Sequence, residues 1–157
     1  MSNNFQECSQ LPIENGYSTS KDTLGDLFNL QRTIQEKVLN YSFEEIQNNN
    51  AKLLEFWKWN HIAIQSEIME AFDALGGIKD GVGNAGWKPW KKSNAAFLEG
   101  KLSDLSESDL KELKMELIDI QHFLFNLMLS VGMTTEEVYN FYVAKNKENI
   151  DRQNRGY

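Results

Sequence analysis

The chain has 157 residues, with 16 basic and 23 acidic side chains and a formal charge of −7. That length suits one domain, residues 1–157, and 41% apolar with 11% aromatic residues exclude intrinsic disorder. A single cysteine, Cys8, excludes a disulfide framework and a thiolate zinc cluster, and the acidic balance excludes general nucleic-acid binding.

Residues 1–10 lack the basic flank and apolar centre of a secretory signal. Apolar residues then recur at three and four, the helical period, and no stretch alternates at two for long enough to make a convincing strand. The first helix is expected from about Leu24 to Asn40, capped by Asp22 or Thr23, with Leu24, Leu27, Gln31, Ile34 and Val38 on one side. A long second helix is expected from about Ala51 to Leu75, with Leu54, Trp57, His61, Ile64, Ile68, Ala71 and Leu75 in a stripe, ending at Gly76-Gly77. His61 and His122 read as packing histidines inside helices.

Six of the ten glycines fall between Gly76 and Gly100. Gly81, Gly83 and Gly86 spell G-x-G-x-x-G, but no strand precedes them and no helix comes directly after, so the dinucleotide fingerprint is rejected in favour of a flexible loop. A small helix is expected near Ser93 to Gly100. The third main helix runs from about Glu107 to Val131, with Ser106 and Asp109 spaced as a capping box. Its apolar stretch from Phe123 to Met133, interrupted by Asn126 and Ser130, is too short to span a membrane. The fourth opens with the capping box Thr134…Glu137 and runs to about Gln153. The fold class is therefore all-α, a bundle of about four main helices.

Two carboxylate pairs carry the chemistry. Glu67 and Glu70 sit one helical turn apart on the second helix, and Glu116 and Asp119 repeat that spacing on the third. Helical rotation places Glu67 and Glu70 beside Ala63 and Ala74 at the edge of the apolar stripe. Glu116 and Asp119 flank Phe123. Four carboxylates facing a bundle interior need a positive partner, because desolvating each costs several kcal/mol. Either basic side chains pair with them, or they hold a hard divalent cation, Mg2+ or Mn2+, which in turn implies a phosphorylated substrate. Two small segments are basic: Trp87–Lys92 and Lys145–Tyr157. On the fourth helix a stripe beginning Val138, Phe141, Tyr142 continues as Lys145, Asn149 and Arg152, suited to an anion. Trp87, Lys88, Trp90 and Lys91 are placed to add phosphate contacts from the loop. No G-x-x-x-x-G-K-[ST] occurs, so a P-loop nucleotidase is excluded.

Taken together, Glu67-Ile68-Met69-Glu70, Trp87-Lys88-Pro89-Trp90-Lys91, Glu116-Leu117-Ile118-Asp119 with His122-Phe123, and Lys145-Asn146…Asn149…Arg152-Gln153…Gly156-Tyr157 resemble the all-α dimeric dUTPases. The likeness is closer still to the dCTP pyrophosphatase/dUTPase members from T-even-type bacteriophages. The resemblance implies a homodimer that hydrolyses dCTP and dUTP to the monophosphate and pyrophosphate with Mg2+, in the host cytoplasm if phage-encoded. By motif position it assigns Glu67, Glu70, Glu116 and Asp119 to the metals, and Lys145, Arg152 and Tyr157 to phosphates. Asn149 falls near the sugar or metal, Gln31 at the pyrimidine and Phe123 against the ring. Glu67 is the choice for orienting or deprotonating the attacking water. Two other expectations stay open: a MazG-like house-cleaning pyrophosphatase for other nucleotides, and a helical interaction module whose charges pair internally.

Overall fold

The computed structural model describes residues 21–79, 82–83, 88, 90–91 and 94–156. Trp87, Pro89 and Tyr157, all members of the basic segments, lie outside the described residues, as does the segment around Gly86. In chain order the elements are α1 (Thr23–Thr33), a π-helical turn (Ile34–Val38), α2 (Phe43–Gln47) and α3 (Asn50–Leu75). A short antiparallel ladder comes next, β1 (Ile78–Lys79) with β2 (Val82–Gly83), then α4 (Ala95–Glu99), a 3-10 turn (Leu102–Asp104), α5 (Glu107–Ser130) and α6 (Thr135–Asn154). The class is all-α, with four long helices.

Helix ends obey local chemistry. The Asp22 carboxylate accepts the Gly25 N–H at 2.8 Å and starts α1. At α6 the capping box closes both ways: the Thr134 hydroxyl accepts the Glu137 N–H at 3.1 Å, and the Glu137 carboxylate accepts the Thr134 N–H at 2.9 Å. Gly77 (φ +84°) and Gly132 (φ +75°) take the left-handed backbone that ends α3 and α5. At α5 the box is only half closed. Ser106 accepts the Asp109 N–H at 3.0 Å, while the Asp109 carboxylate turns away to accept the N–H of Ile78 at 3.2 Å.

The chain divides into two compact units, and α3 and α5 each contribute to both. Within the described residues, one unit holds 58–124 and the other holds 21–57 with 125–156. The second unit contains the aromatic core: Phe28, Phe43, Ile46, Phe56, Phe125 and Leu129, with Leu24, Leu53, Met128 and Val138 packed on it. Phe28 meets Phe125 at 4.8 Å between ring centres, and Phe56 takes the edges of Tyr41 and Phe43 at 5.3 and 5.9 Å. Ser42 caps the short α2, which delivers Phe43 and Ile46 to this core. The Trp57 indole N–H donates to the Ser130 hydroxyl at 2.9 Å, and the Gln47 amide donates to the Leu129 carbonyl at 2.9 Å.

Helix faces depart from the expected stripes. On α1, Phe28, Gln31 and the adjoining Gln35 are buried, whereas Leu27, Ile34 and Val38 are exposed. The π turn, Ile34–Val38, adds a residue to the helical repeat and rotates the side chains beyond it, which a regular 3.6 period does not foresee; Leu27 and Gln31 precede it, and their placement is not explained by it. On α3 the inward positions are Phe56, Asn60, Ala71 and Ala74, with Ala63, Ile64 and Glu67 half-buried between them. Leu54 and Ile68 face outward, and Trp57 is partly exposed with its indole N–H turned in to Ser130. His61 is exposed, so it is not a packing histidine; its neighbour Asn60 takes the buried place. Apolar side chains occupy two sides of α3, so their periodicity alone does not say which side is covered.

Candidate metal centre

α3 and α5 bring three of the expected carboxylates together in the first unit. Single oxygens of Glu67, Glu70 and Glu116 all lie within 4.8 Å of one another. Glu67 is half-buried in the middle of the inward stripe of α3, Glu70 is exposed one turn later, and Glu116 is 3% exposed on α5. The Ser66 hydroxyl donates to Glu70 at 3.0 Å and orients it. Asp119 is half-buried one turn beyond Glu116 and near enough for its charge to act on Glu67, though it stands outside the three-oxygen group.

The electrostatics record a conflict. Burial pushes the Glu116 carboxyl up to about 8, helped by its hydrogen bond to Glu67 and by the charges of Glu70, Glu67 and Glu112. Burial also raises Glu67, as do Glu70 and Asp119, while the bond from Glu116 pulls it the other way. Glu116 therefore carries the proton that Glu67 accepts: like charges this close do not all ionise. Among the described residues no lysine or arginine forms an ion pair with Glu67, Glu70 or Glu116; ion pairs form elsewhere, at Arg32–Glu36, Lys52–Glu45, Arg152–Glu148 and Arg155–Glu148. Among the described residues, internal ion pairs therefore do not offset these three acids.

The donor set fits a hard cation. It is all carboxylate, with neither thiolate nor imidazole in the group. Octahedral Mg2+ with bonds near 2.1 Å sets its ligand oxygens about 3–4 Å apart, within a rotamer adjustment of the present spacing. The arrangement can therefore hold a metal ion.

The remaining expected site residues are distributed between the two units. Phe123 and Lys88 are half-buried and Lys91 is exposed, all in the unit of the carboxylates; the Lys88 carbonyl accepts the amide of the fully buried Asn94 at 2.8 Å. Gln31 is 3% exposed in the aromatic unit, where its Nε2 donates to Oδ1 of Asn126 at 2.6 Å. On α6, Lys145 and Asn149 are exposed, and Arg152 donates to Glu148 at 3.0 Å. The expected inward stripe of α6 is corrected: beyond Val138, its members Phe141 and Tyr142 are 56% and 72% exposed. Sequence reasoning passed over Glu112, which is buried one turn before Glu116. Its signal was present, since 112, 116, 119 and 123 continue one face of α5.

An all-α fold that gathers carboxylates from E-x-x-E and E-x-x-D turns, one of them buried, defines the class of site. The chain is 35% identical over 143 residues to the dCTP pyrophosphatase of Enterobacteria phage LZ5, covering 87% of this chain and 83% of that protein. To the dCTP pyrophosphatase of Enterobacteria phage T4 it is 31% identical over 168 aligned positions, covering 98% of both. A phage T4 protein named DNA replication protein is 30% identical over 158 positions, 91% of this chain but 40% of that longer one. No family model and no solved structure matches the chain. The chain belongs to the dCTP pyrophosphatase family of T-even phages.

Proposed function

We propose that the chain is a Mg2+-dependent pyrophosphatase that hydrolyses dCTP and dUTP to the monophosphate and pyrophosphate, acting as one catalytic domain in a homodimer in the host cytoplasm. The observation that carries this reading is the Glu67–Glu70–Glu116 group, in which Glu116 is buried and Glu67 half-buried, without a cationic partner among the described residues. Glu67, Glu70, Glu116 and Asp119 would hold Mg2+ (or Mn2+), which supplies charge neutralisation for the triphosphate oxygens when bound. Glu67 accepts a hydrogen bond in this group, and that acceptor oxygen suits it to orient or deprotonate water. Water attacks phosphorus at the α–β junction, that P–O–P linkage breaks, and the products are the nucleoside monophosphate and pyrophosphate. Lys145, Arg152 and Tyr157 would meet phosphate oxygens, with Lys88, Lys91 and Trp87 adding contacts from the loop. Asn149 would lie near the sugar or metal, Phe123 against the ring and Gln31 at the pyrimidine edge.

Homodimerisation has its own support. Ile62, Met69 and Phe72 on α3, and Leu117, Ile118 and Leu124 on α5, are each more than a third exposed in the single chain. Among the described residues no single helix is long and apolar enough to cross a membrane. The test is pyrophosphate release across a panel of deoxynucleoside triphosphates, with Mg2+ and with EDTA. Metal-dependent release from dCTP and dUTP is expected; no release from either overturns the proposal.

A further inference from the structure

On the side of α6 that sets Val138 against the aromatic core, Lys145, Glu148, Arg152 and Arg155 follow at helical spacing. Two guanidiniums converge there on one oxygen: Arg152 Nε donates to Glu148 Oε1 at 3.0 Å, and Arg155 Nη2 donates to the same atom at 2.8 Å. The helix offers a simpler pairing, because Asp151 stands one turn before Arg155 just as Glu148 stands one turn before Arg152. Two separate i, i+4 pairs would balance each charge and keep the cations apart. Yet no ion pair joins Arg155 to Asp151; its side chain reaches two turns back, to a carboxylate that Arg152 already holds. Nor does the helix end require this. The Arg155 N–H donates to the Asp151 and Arg152 carbonyls at 3.0 and 3.1 Å, and the Gly156 N–H to the Gln153 carbonyl at 3.1 Å, so these last carbonyls have backbone partners. A cation near a helix C-terminus is favourable anywhere in the last turn, and an exposed ion pair contributes little. Neither effect draws two like charges together.

Two guanidiniums on one carboxylate leave one positive charge unbalanced and set two planar donor forks side by side. Phosphoryl oxygens take charge-assisted bonds from such forks. Arg152 keeps further interactions of its own. Arg155 spends one N–H group on Glu148, and its side chain is 63% exposed, so the other donors of its guanidinium are open to a ligand. We propose that Arg155 is a further phosphate-binding residue, held beside Arg152 by Glu148 so that the two guanidiniums clamp the β–γ end of a nucleoside triphosphate. Glu148 is then a positioning residue: it touches no phosphate and fixes where the forks stand before the ligand arrives. The inference rests on the proposed placement of Arg152 at the phosphates.

The test is steady-state kinetics on dCTP with Mg2+, using inorganic pyrophosphate and dCMP as inhibitors, in wild type, Arg155→Gln, Arg152→Gln and Glu148→Ala, with thermal melting to verify folding. In Arg155→Gln the KM for dCTP and the Ki of pyrophosphate should each rise by at least about tenfold, while kcat and the Ki of dCMP stay within about threefold of wild type. Glu148→Ala separates positioning from plain charge. Removing a negative charge beside a bound anion tightens binding if charge alone matters, whereas losing the group that gathers the forks should weaken pyrophosphate by at least about threefold. If Arg155→Gln leaves KM and the pyrophosphate Ki unchanged while Arg152→Gln raises both, the inference fails alone. It fails too if Arg155→Gln weakens pyrophosphate and dCMP alike, or if Glu148→Ala binds pyrophosphate as tightly as wild type or tighter. If Arg152→Gln changes neither constant, the placement of Arg152 at the phosphates fails and the clamp with it. A wild type that releases no pyrophosphate from dCTP sinks the proposed function itself.

Discussion

Two buried polar regions of this molecule solve desolvation in opposite ways. In the aromatic unit, Gln31 and Asn126 answer each other, Trp57 answers Ser130, and Gln47 answers the Leu129 carbonyl. In the other unit Glu67, Glu70 and Glu116 converge with one shared proton and no cation to offset them among the described residues. The first arrangement is complete by itself and strengthens the fold. The second keeps an excess of negative charge that the shared proton offsets only in part and that a bound cation would relieve. Buried polarity is thus informative about ligands when its charges do not balance.

The contrast breaks most visibly at Glu116. Glu116→Gln keeps the shape and removes the charge, so pyrophosphate release should fall by at least about 100-fold while the metal-free protein melts no lower than wild type. A lower melting temperature with retained turnover would make Glu116 part of the scaffold instead. Phe43→Ala, at a position 1% exposed, should do the reverse: about 3–5 kcal/mol of stability lost in urea denaturation, with kcat little changed in the remaining folded fraction.

The pH dependence sharpens the same comparison. Because burial and its neighbours push Glu116 from 4.5 up to about 8, the folded chain holds a proton that the unfolded chain has released across that window. Stability in EDTA should therefore decline as pH rises from about 4.5 to about 8, and level off above. Saturating Mg2+ should flatten the slope, since a cation favours the ionised carboxylate, and its affinity should increase with pH over the same range. Melting curves at pH 5, 6.5 and 8, with and without Mg2+, read both effects. Smaller changes are expected at single bonds of the complete region. Trp57→Phe leaves the Ser130 hydroxyl without its indole donor, for about 1–2 kcal/mol. Thr134→Ala removes the α6 cap for about 1 kcal/mol, by the same denaturation measurement.

Much of the molecule was legible where the signal is local. Asp22, Ser106, Thr134 with Glu137, Gly77 and Gly132 mark helix ends through their own nearest neighbours, and each does so in the structure. The acidic pairs were equally readable, because i, i+3 spacing on a helix fixes proximity. The faces were harder. α3 carries apolar side chains on two sides, and the buried side includes Asn60, which an apolar count assigns to water. The stripe of α6 failed for a related reason: Phe141 and Tyr142 look like core residues, yet they are 56% and 72% exposed. The π turn and α2 escaped because each is five residues long, although Ser42 three residues before Glu45 was a usable cap signal.

The half-closed cap at the start of α5 has a consequence for tolerance to change. By holding the Ile78 N–H with its carboxylate, Asp109 buckles the beginning of α5 to the chain just after α3, across 31 positions of sequence. Residues 78 and 109 are therefore tied to each other at the two ends of that segment. Lengthening it should cost only slowly growing closure entropy, about 0.6 kcal/mol per doubling, without disturbing the helical registers on either side. Insertions that spare Lys88 and Lys91 should therefore leave the turns that carry its acids in alignment.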